Sequence, residues 1–319
     1  MISINKNAMR VVREILADPE ALGCGAIRMG CGATLIDMGL NTKGSWQAGL
    51  LFARATLGDL GMVSFGDYKV NERYSFSSIE VFVEQPMIAC MGSQIAGWQL
   101  GKGDFAAIGS GPARALAVVE TDRYFKMTPY RDRHDEAVLC IQSNSYPSEE
   151  VATYVAKACG VKPENTYLLL TSNTSTVCSI QVCARVIEQV CHKMFEKGFD
   201  PAQIVVGRGR APIAPVCNDP VKTMGRMNDA ILYGGETEFW VDTEDTLIAK
   251  TIHRLTSNTS SPNYGELFMD IFERSGRDFY RMDYDVHSIA KIQIHNVRTG
   301  KAFCAGEINY RVLEKSFLS

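Results

Sequence analysis

Gln181, Arg185, Glu188 and His192 stand at intervals of four, three and four in the otherwise largely apolar run from Thr176 to Lys197. On a helix they fall on one stripe, about a quarter-turn from an apolar stripe of Ile180, Cys183, Ala184, Ile187, Cys191 and Met194. An amide, a guanidinium, a carboxylate and an imidazole in line are suited to moving a proton. Glu188 would accept it, and Arg185 would orient Glu188 or hold an anion. The same residues allow a plainer reading: an Arg185–Glu188 ion pair at i, i+3, solvated at a domain edge, with Arg first in the less favoured order. Most of the remaining circumference of this helix is apolar, so it is expected to be largely buried, where charges rarely stand unpaired.

The elements around it must aim that stripe. The apolar run Tyr167-Leu168-Leu169-Leu170 reads as a strand, and the small polar residues Thr171 to Ser175 as a turn and N-cap. A second candidate site lies at Ile108-Gly109-Ser110-Gly111-Pro112-Ala113-Arg114. Pro112 suits the first position of a helix, the glycines allow close backbone approach, and Arg114 adds a charge. This is either a phosphate or carboxylate site or a well-capped helix with a solvated arginine; the Gly-Lys-Ser/Thr ending of a P-loop is absent. A third lies where Met87-Ile88-Ala89-Cys90, read as strand, empties into a Gly-flanked turn with Ser93 and Gln94, followed by a helix. Gly207-Arg208-Gly209-Arg210 reads as a rigid basic loop after the strand Ile204-Val205-Val206, with solvated arginines or, as the minority reading, an anion contact.

Further elements follow from pattern. Residues 5–17 form a helix capped by Asn5 or Asn7, and Trp46 to Leu57 a second one with small residues for close packing. Residues 137–142 form a buried strand, Pro147 onward a helix, Thr237 to Val241 a strand and Tyr264 to Glu273 a helix. A strand pair closes the chain around Arg298-Thr299-Gly300. The fold class is α/β (α+β). At 319 residues two domains are expected, 1–165 and 166–319, with terminal segments free to cross over and a large pocket between the two.

Composition narrows the function classes. Apolar residues make up 46% and charged residues 22%, as in ordinary soluble proteins. A net charge of -3 argues against a nucleic-acid partner. No apolar run is long enough for a membrane span and no signal core opens the chain, so a cytoplasmic location is expected. Ten cysteines lie mostly in apolar stretches, with no C-x-x-C, which fits free thiols in a reducing compartment. The five histidines are scattered, so no metal is expected.

Taken in order, several stretches resemble the methenyltetrahydromethanopterin cyclohydrolase family along the whole chain. They are Ile36-Asp37-Met38-Gly39, Ala89 to Trp98, Gly109 to Ala115, Gln181 to Glu188 with His192-Lys193, Ala211 to Pro215, Asn228-Asp229-Ala230, Asp278-Phe279-Tyr280 and Val312 to Phe317. The resemblance implies a two-domain α/β protein, usually a cytoplasmic homotrimer, without metal or organic cofactor. It implies reversible addition of water to a cyclic methenyl-pterin cation of tetrahydromethanopterin or tetrahydrosarcinapterin, with opening to the 5-formyl compound. It places the family's catalytic Arg and Glu on Arg185 and Glu188. The pterin's phosphate and carboxylates give the Gly109–Arg114 turn and the arginines at 208 and 210 plausible partners, and Gln181 a place on the pterin or the water. Ser93, Gln94, Gly109, Ser110, Gly111, Pro112 and Arg114 complete the expected substrate-binding set. The chain departs from the family at Thr171–Cys178, where a Pro- and Gly-containing turn is usual, at Gly58-Asp59-Leu60, where Gly-Gly-Leu is usual, and at His287–Ala290, where Phe-Ser-Pro-Ala is usual. A non-catalytic pterin- or anion-binding relative is the alternative. An unrelated acyl- or phosphoryl-handling enzyme would need a nucleophile or metal cluster, and the sequence shows neither.

Overall fold

The computed structural model describes residues 2–103, 105–119, 128–277, 281, 282, 285 and 287–319. The chain begins with α1 (Ile4–Ala17), β1 (Gly25–Arg28), β2 (Thr34–Asp37), α2 (Trp46–Thr56), β3 (Gly61–Lys69) and β4 (Ser75–Val83). A π-helical segment, Met87–Gln94, leads to β5 (Trp98–Lys102), β6 (Phe105–Ser110), α3 (Ala113–Ala117), β7 (Ala137–Gln142), α4 (Glu149–Cys159) and β8 (Thr166–Thr171). Next come α5 (Thr176–Cys183), α6 (Val186–Glu196), β9 (Ile204–Pro212), α7 (Pro220–Gly234), β10 (Glu236–Val241), α8 (Asp245–Thr251) and α9 (Ser257–Ser260). The last elements are α10 (Phe268–Arg274), β11 (Lys291–Asn296), β12 (Ala302–Gly306) and α11 (Tyr310–Leu318). The Asp278-Phe279-Tyr280 stretch lies outside the described residues.

These elements gather into two compact units, one of Met1–Met62 and Met87–Gln181, the other of Val63–Pro86 and Val182–Ser319. The sequence reading divides the chain near residue 165; in the structure the chain passes between units at 62/63, 86/87 and 181/182. Each unit is built on a six-stranded mixed sheet with helices packed on it, an α/β arrangement.

The first sheet runs β1-β2-β8-β7-β6-β5, with β2, β8 and β7 parallel. Its central strands are buried on both faces. Val138, Cys140 and Leu169 pack with α1 and α2 residues such as Val12, Ile15 and Phe52. Leu139, Ile141, Leu168 and Leu170 pack with Trp98, Val151 and Val155. Burial on two sides is why these strands read as unbroken apolar runs. Helix α1 is capped by Ser3, whose Oγ accepts the Lys6 N–H, rather than by Asn5 or Asn7. Asn5 is buried instead: it donates to Pro112 O at 2.9 Å and accepts from Val138 N at 3.0 Å. The stretch 87–90, read as strand, and the turn after it with Ser93 and Gln94 form one π-helical segment, and the segment after that, read as helix, is the strand β5.

Asp37, at the end of β2, organises the next turn. Its buried carboxylate accepts the N–H groups of Gly39 (2.9 Å), Leu40 (2.7 Å) and Asn41 (2.8 Å) and the Tyr146 hydroxyl (2.7 Å). Burial pulls its pKa up, but these donors outweigh burial and hold it below the ordinary carboxylate value. The folded pKa is depressed, so its stabilisation is complete above the ordinary Asp value and is lost as pH falls through the folded one. Asp37→Asn is expected to cost about 3 kcal/mol near pH 7, because several charge-assisted bonds weaken together. The variant should lose less stability than the parent on acidification below the ordinary Asp value, a difference that urea titrations at pH 7 and pH 2 would read.

The second sheet runs β12-β11-β10-β9-β4-β3. Strands β10 and β11 are parallel, while β9 is antiparallel to both β10 and β4. Helices α6 and α7 pack on β9. Inward Gly207, Gly209, Phe239, Val241, Ile292 and Ile294 alternate with outward Arg208, Arg210, Glu236, Glu238, Lys291 and His295. The Gly-Arg-Gly-Arg stretch is therefore strand and not loop. Arg210 Nε lies 2.9 Å from Glu236 Oε1, and His295 Nε2 lies 2.8 Å from Glu238 Oε1. Arg208 reaches Glu238 only at 4.0 Å.

Asp229 on α7 is the buried acid of this unit. It accepts from Phe268 N at 2.9 Å and from Ser316 Oγ of α11 at 2.7 Å. Burial pushes its pKa up to about 7. With the folded pKa raised, stability falls as pH rises from the ordinary carboxylate range toward 7 and levels off above it. Asp229→Asn can keep both contacts, with its carbonyl facing Phe268 N–H and its amide facing Ser316. Relative to the parent it is expected to gain on the order of 2–4 kcal/mol between pH 4 and pH 8. Melting temperatures of both proteins across that range would check this.

Candidate active site

The run from 176 to 197 is two helices. Arg185 N–H bonds back to Val182 O at 3.0 Å, and Arg185 O then accepts Gln189 N at 2.9 Å, so the helix tightens and restarts at α6. No Gly or Pro marks the break. Packing accounts for it. Ile180 of α5 sits on Gly49 of α2, where an added Cβ would stand 2.6 Å from Ile180 Cδ1. Val186 and Ile187 of α6 sit on β9, where a Cβ on Gly209 would stand 2.6 Å from Val186 Cγ2 and one on Gly207 2.9 Å from Ile187 Cγ2. The two halves thus seat on different supports, each through a glycine that lets the backbones approach. One consequence is that Gln181 belongs to α5 and does not continue the α6 stripe.

Arg185 occupies the N-cap position of α6 and Glu188 its first turn. Arg185 Nη1 lies 3.4 Å from Glu188 Oε2, and the side chains are 14% and 11% exposed. The pair is therefore enclosed and not a solvated edge contact, and a helix start favours the carboxylate there. His192 pairs with Glu196 at 3.2 Å one turn further on. A parallel ridge at four-residue spacing holds Arg185, Gln189, Lys193 and Lys197. Lys193 is 1% exposed, and its ammonium meets Asp285 Oδ1 at 2.5 Å, with Lys197 at 3.2 Å from the same oxygen. Burial pulls the Lys193 pKa below its ordinary value, with Asp285 opposing. At Asp285 burial pulls upward, but the two ammoniums prevail and its pKa is lowered.

Ser93, Gln94, Ser110, Gly111 and Arg114 form a separate buried cluster. Ser93 Oγ donates to Thr56 O at 2.6 Å and Ser110 Oγ to Gln94 O at 2.6 Å. Gly111 N and Arg114 Nη1 both donate to Ser93 O, at 2.9 and 3.1 Å. Arg114 is 0% exposed, so its guanidinium is built into the turn and not solvated. Gly109 pairs across to Trp98 and Ile141 in the sheet. Gly111, at φ 95, takes a conformation that favours glycine, and Pro112 caps α3.

Gln181 belongs to a third group. Its Nε2 donates to Gln142 Oε1 at 3.3 Å, and Gln142 Nε2 donates to Asn173 Oδ1 at 2.7 Å. Asn173 lies in the turn between β8 and α5. There Ser175 caps α5 through the Cys178 N–H at 3.0 Å and bonds Thr171 Oγ1 at 2.6 Å. Gln142, Asn173, Lys193 and Asp285 carried no chemical role in the sequence reading. Only Lys193 left a signal, the four-residue interval from Gln189.

Among the described residues, His134, Asp135 and Glu136 are grouped closely enough to hold a metal ion, but Arg13 already occupies Glu136 at 3.0 Å. No helix among those residues is long and apolar enough to cross a membrane.

Comparison with known proteins bears on the same residues. The family model described as Cyclohydrolase (MCH) matches residues 3–317. A protein of Methanocaldococcus jannaschii named methenyltetrahydromethanopterin cyclohydrolase is 38% identical over 99% of this chain and 98% of its own length. Proteins of the same name from Methanothermobacter marburgensis and Methanococcoides burtonii are 37% and 35% identical, each over 99% of this chain and 99% and 98% of their own lengths. With a family model spanning nearly every residue and relatives matched end to end, the chain belongs to the methenyltetrahydromethanopterin cyclohydrolase family.

Proposed function

We propose that this protein is a cyclohydrolase that adds water reversibly to the methenyl carbon of a tetrahydromethanopterin or tetrahydrosarcinapterin cation and releases the 5-formyl pterin. The observation that carries this reading is the enclosed Arg185–Glu188 pair at the start of α6, in a chain matched by the family along its length. The methenyl carbon sits between two nitrogens of a cation and is already electrophilic, so no metal or organic cofactor is invoked. Glu188 takes a proton from water as its oxygen bonds to that carbon. It then returns the proton to the departing ring nitrogen as the carbon–nitrogen bond breaks; the hydroxyl proton of the adduct leaves to solvent. Arg185 holds the carboxylate in place, so positioning supplies much of the acceleration.

Gln181, oriented by Gln142 and Asn173, is assigned to the pterin or the attacking water. Gly109, Ser110, Gly111 and Pro112, with Ser93, Gln94 and Arg114, are assigned to the substrate-binding turn, whose shape the bonds of Ser110 and Arg114 fix from within. The ten free cysteines support a reducing, cytoplasmic setting. A homotrimer is the assembly we expect, without nucleic-acid or membrane partners. A non-catalytic pterin-binding relative would have no need of an enclosed Glu188 held by a cation.

The test is spectroscopic. Methenyl-tetrahydromethanopterin, its sarcinapterin form and methenyl-tetrahydrofolate are each mixed with the protein, and the loss of methenyl absorbance is followed. Turnover of one of the first two is expected. No turnover of any of the three would overturn the proposal.

A further inference from the structure

Three of the four residues on the Arg185 ridge of α6 are gripped by one short segment. Lys193 and Lys197 both meet Asp285 Oδ1, at 2.5 and 3.2 Å. Gln189 Nε2 donates to Ser288 O at 2.8 Å, and Ser288 Oγ donates to Asp285 O at 2.8 Å. Ile289, next to Ser288, is itself fixed: it bridges Thr256, and its carbonyl accepts Ser257 N at 2.9 Å. An ion pair at a 1% exposed lysine is poor evidence of added stability, since an apolar pair of similar volume would contribute as much stability. What it does impose is geometry. Rotation of α6 would carry the buried Lys193 ammonium off its carboxylate, at high cost.

We propose that Asp285 is a positioning residue for the hydration step, acting through Lys193 and Lys197 to fix the rotation of α6 and with it Arg185 and Glu188. This rests on the assignment of Glu188 as the base. The remaining member of the ridge, Arg185, and its partner Glu188 lie one to two turns from Lys193 on the same helix. At a side-chain radius of about 6 Å, a rotation of about 10° displaces a group by roughly 1 Å. A displacement of that size lowers a rate by up to about a hundredfold.

The experiment uses the whole chain and four variants, Glu188→Gln among them, with kcat, KM and melting temperature measured for methenyl-pterin hydrolysis. Asp285→Asn is expected to lower kcat about ten- to a hundredfold with KM within about twofold of the parent. The double variant Lys193→Met/Asp285→Leu removes the buried ammonium and its carboxylate together, leaves the less buried Lys197 to turn toward solvent, and is expected to melt near the parent while kcat stays low. In a Glu188→Gln background, Asp285→Asn is expected to add little further loss, because both act on one step. Full kcat in the folded double variant would overturn the proposal. So would an Asp285→Asn loss equal in the parent and Glu188→Gln backgrounds. A Glu188→Gln enzyme running at the parent rate removes the base assignment and this role with it, whereas a slow Glu188→Gln beside a fast double variant removes only the role of Asp285.

Discussion

Glu188→Gln is expected to lower kcat/KM for methenyl-pterin hydrolysis by about 10²–10⁴ while leaving the melting temperature close to that of the parent, the size of effect that a positioned general base contributes. The substitution keeps the side chain's volume and an oxygen that can still accept from Arg185 at the 3.4 Å separation of the pair. It removes only the capacity to take and return a proton. KM should change little, since the lost interaction belongs to the transition state and not to the bound substrate. The reverse reaction, ring closure of the 5-formyl pterin, should fall by the same factor, because an equilibrium constant cannot depend on the catalyst. Arg185→Lys provides the second half of the argument. It keeps a positive charge but loses the planar fork that fixes a carboxylate, so an intermediate loss is expected. Stopped-flow absorbance with both variants would check these values, and near-parent hydrolysis by Glu188→Gln would transfer the base role elsewhere.

The candidate pair was legible because helical periodicity puts Arg185 and Glu188 on one side of an apolar run, and that pattern survives in α6. What periodicity could not show is the break between α5 and α6. It is enforced by two glycine seats, Gly49 for Ile180 and the Gly207–Gly209 pair for Val186 and Ile187, that are distant in sequence. A pattern read along one segment has no access to what that segment leans on. The same limit explains β9. Arginines at alternate positions look like a basic loop until β4 and β10 pair on either side, after which the glycines face α6 and the arginines face out. The local motif alone leaves Arg114 solvated or anion-bound; its burial against Ser93 O depends on a segment 21 residues earlier that is π-helical rather than a strand emptying into a turn. Strands buried on both faces were the easiest to read, because Ala137–Gln142 and Tyr167–Leu170 offer no competing period. Asp285 was out of reach altogether, since nothing local to it announces two lysines 92 and 88 positions away.

The close seat of α6 on β9 leads to a large effect from a substitution that never approaches the carboxylate. Gly209 does not need glycine for its backbone, because it lies in regular strand and has no positive φ. It needs glycine for space: an added Cβ would stand 2.6 Å from Val186 Cγ2, 3.2 Å from Thr237 Cγ2 and 3.3 Å from Glu236 O. Real carbons do not approach to the first of these distances, and Thr237 and Glu236 belong to the neighbouring strand β10, which resists movement. The helix must yield. Gly209→Ala should therefore cost about 1–3 kcal/mol as an overpacked core. It should also lift the first turn of α6, the turn that carries Glu188 and adjoins Arg185. A shift of the base by even part of an ångström is expected to lower kcat about ten- to a hundredfold, more than the stability loss accounts for in a protein that remains folded at the assay temperature. The cause can be isolated by giving the space back. In Gly209→Ala/Val186→Ala the clashing Cγ2 is gone, so kcat should recover most of its loss even though a little burial is sacrificed. Recovery of melting temperature without recovery of kcat would mean that the glycine seat stabilises the unit but does not set the position of Glu188. Parent-like kcat in Gly209→Ala alone would show that α6 can move on β9 without disturbing the chemistry.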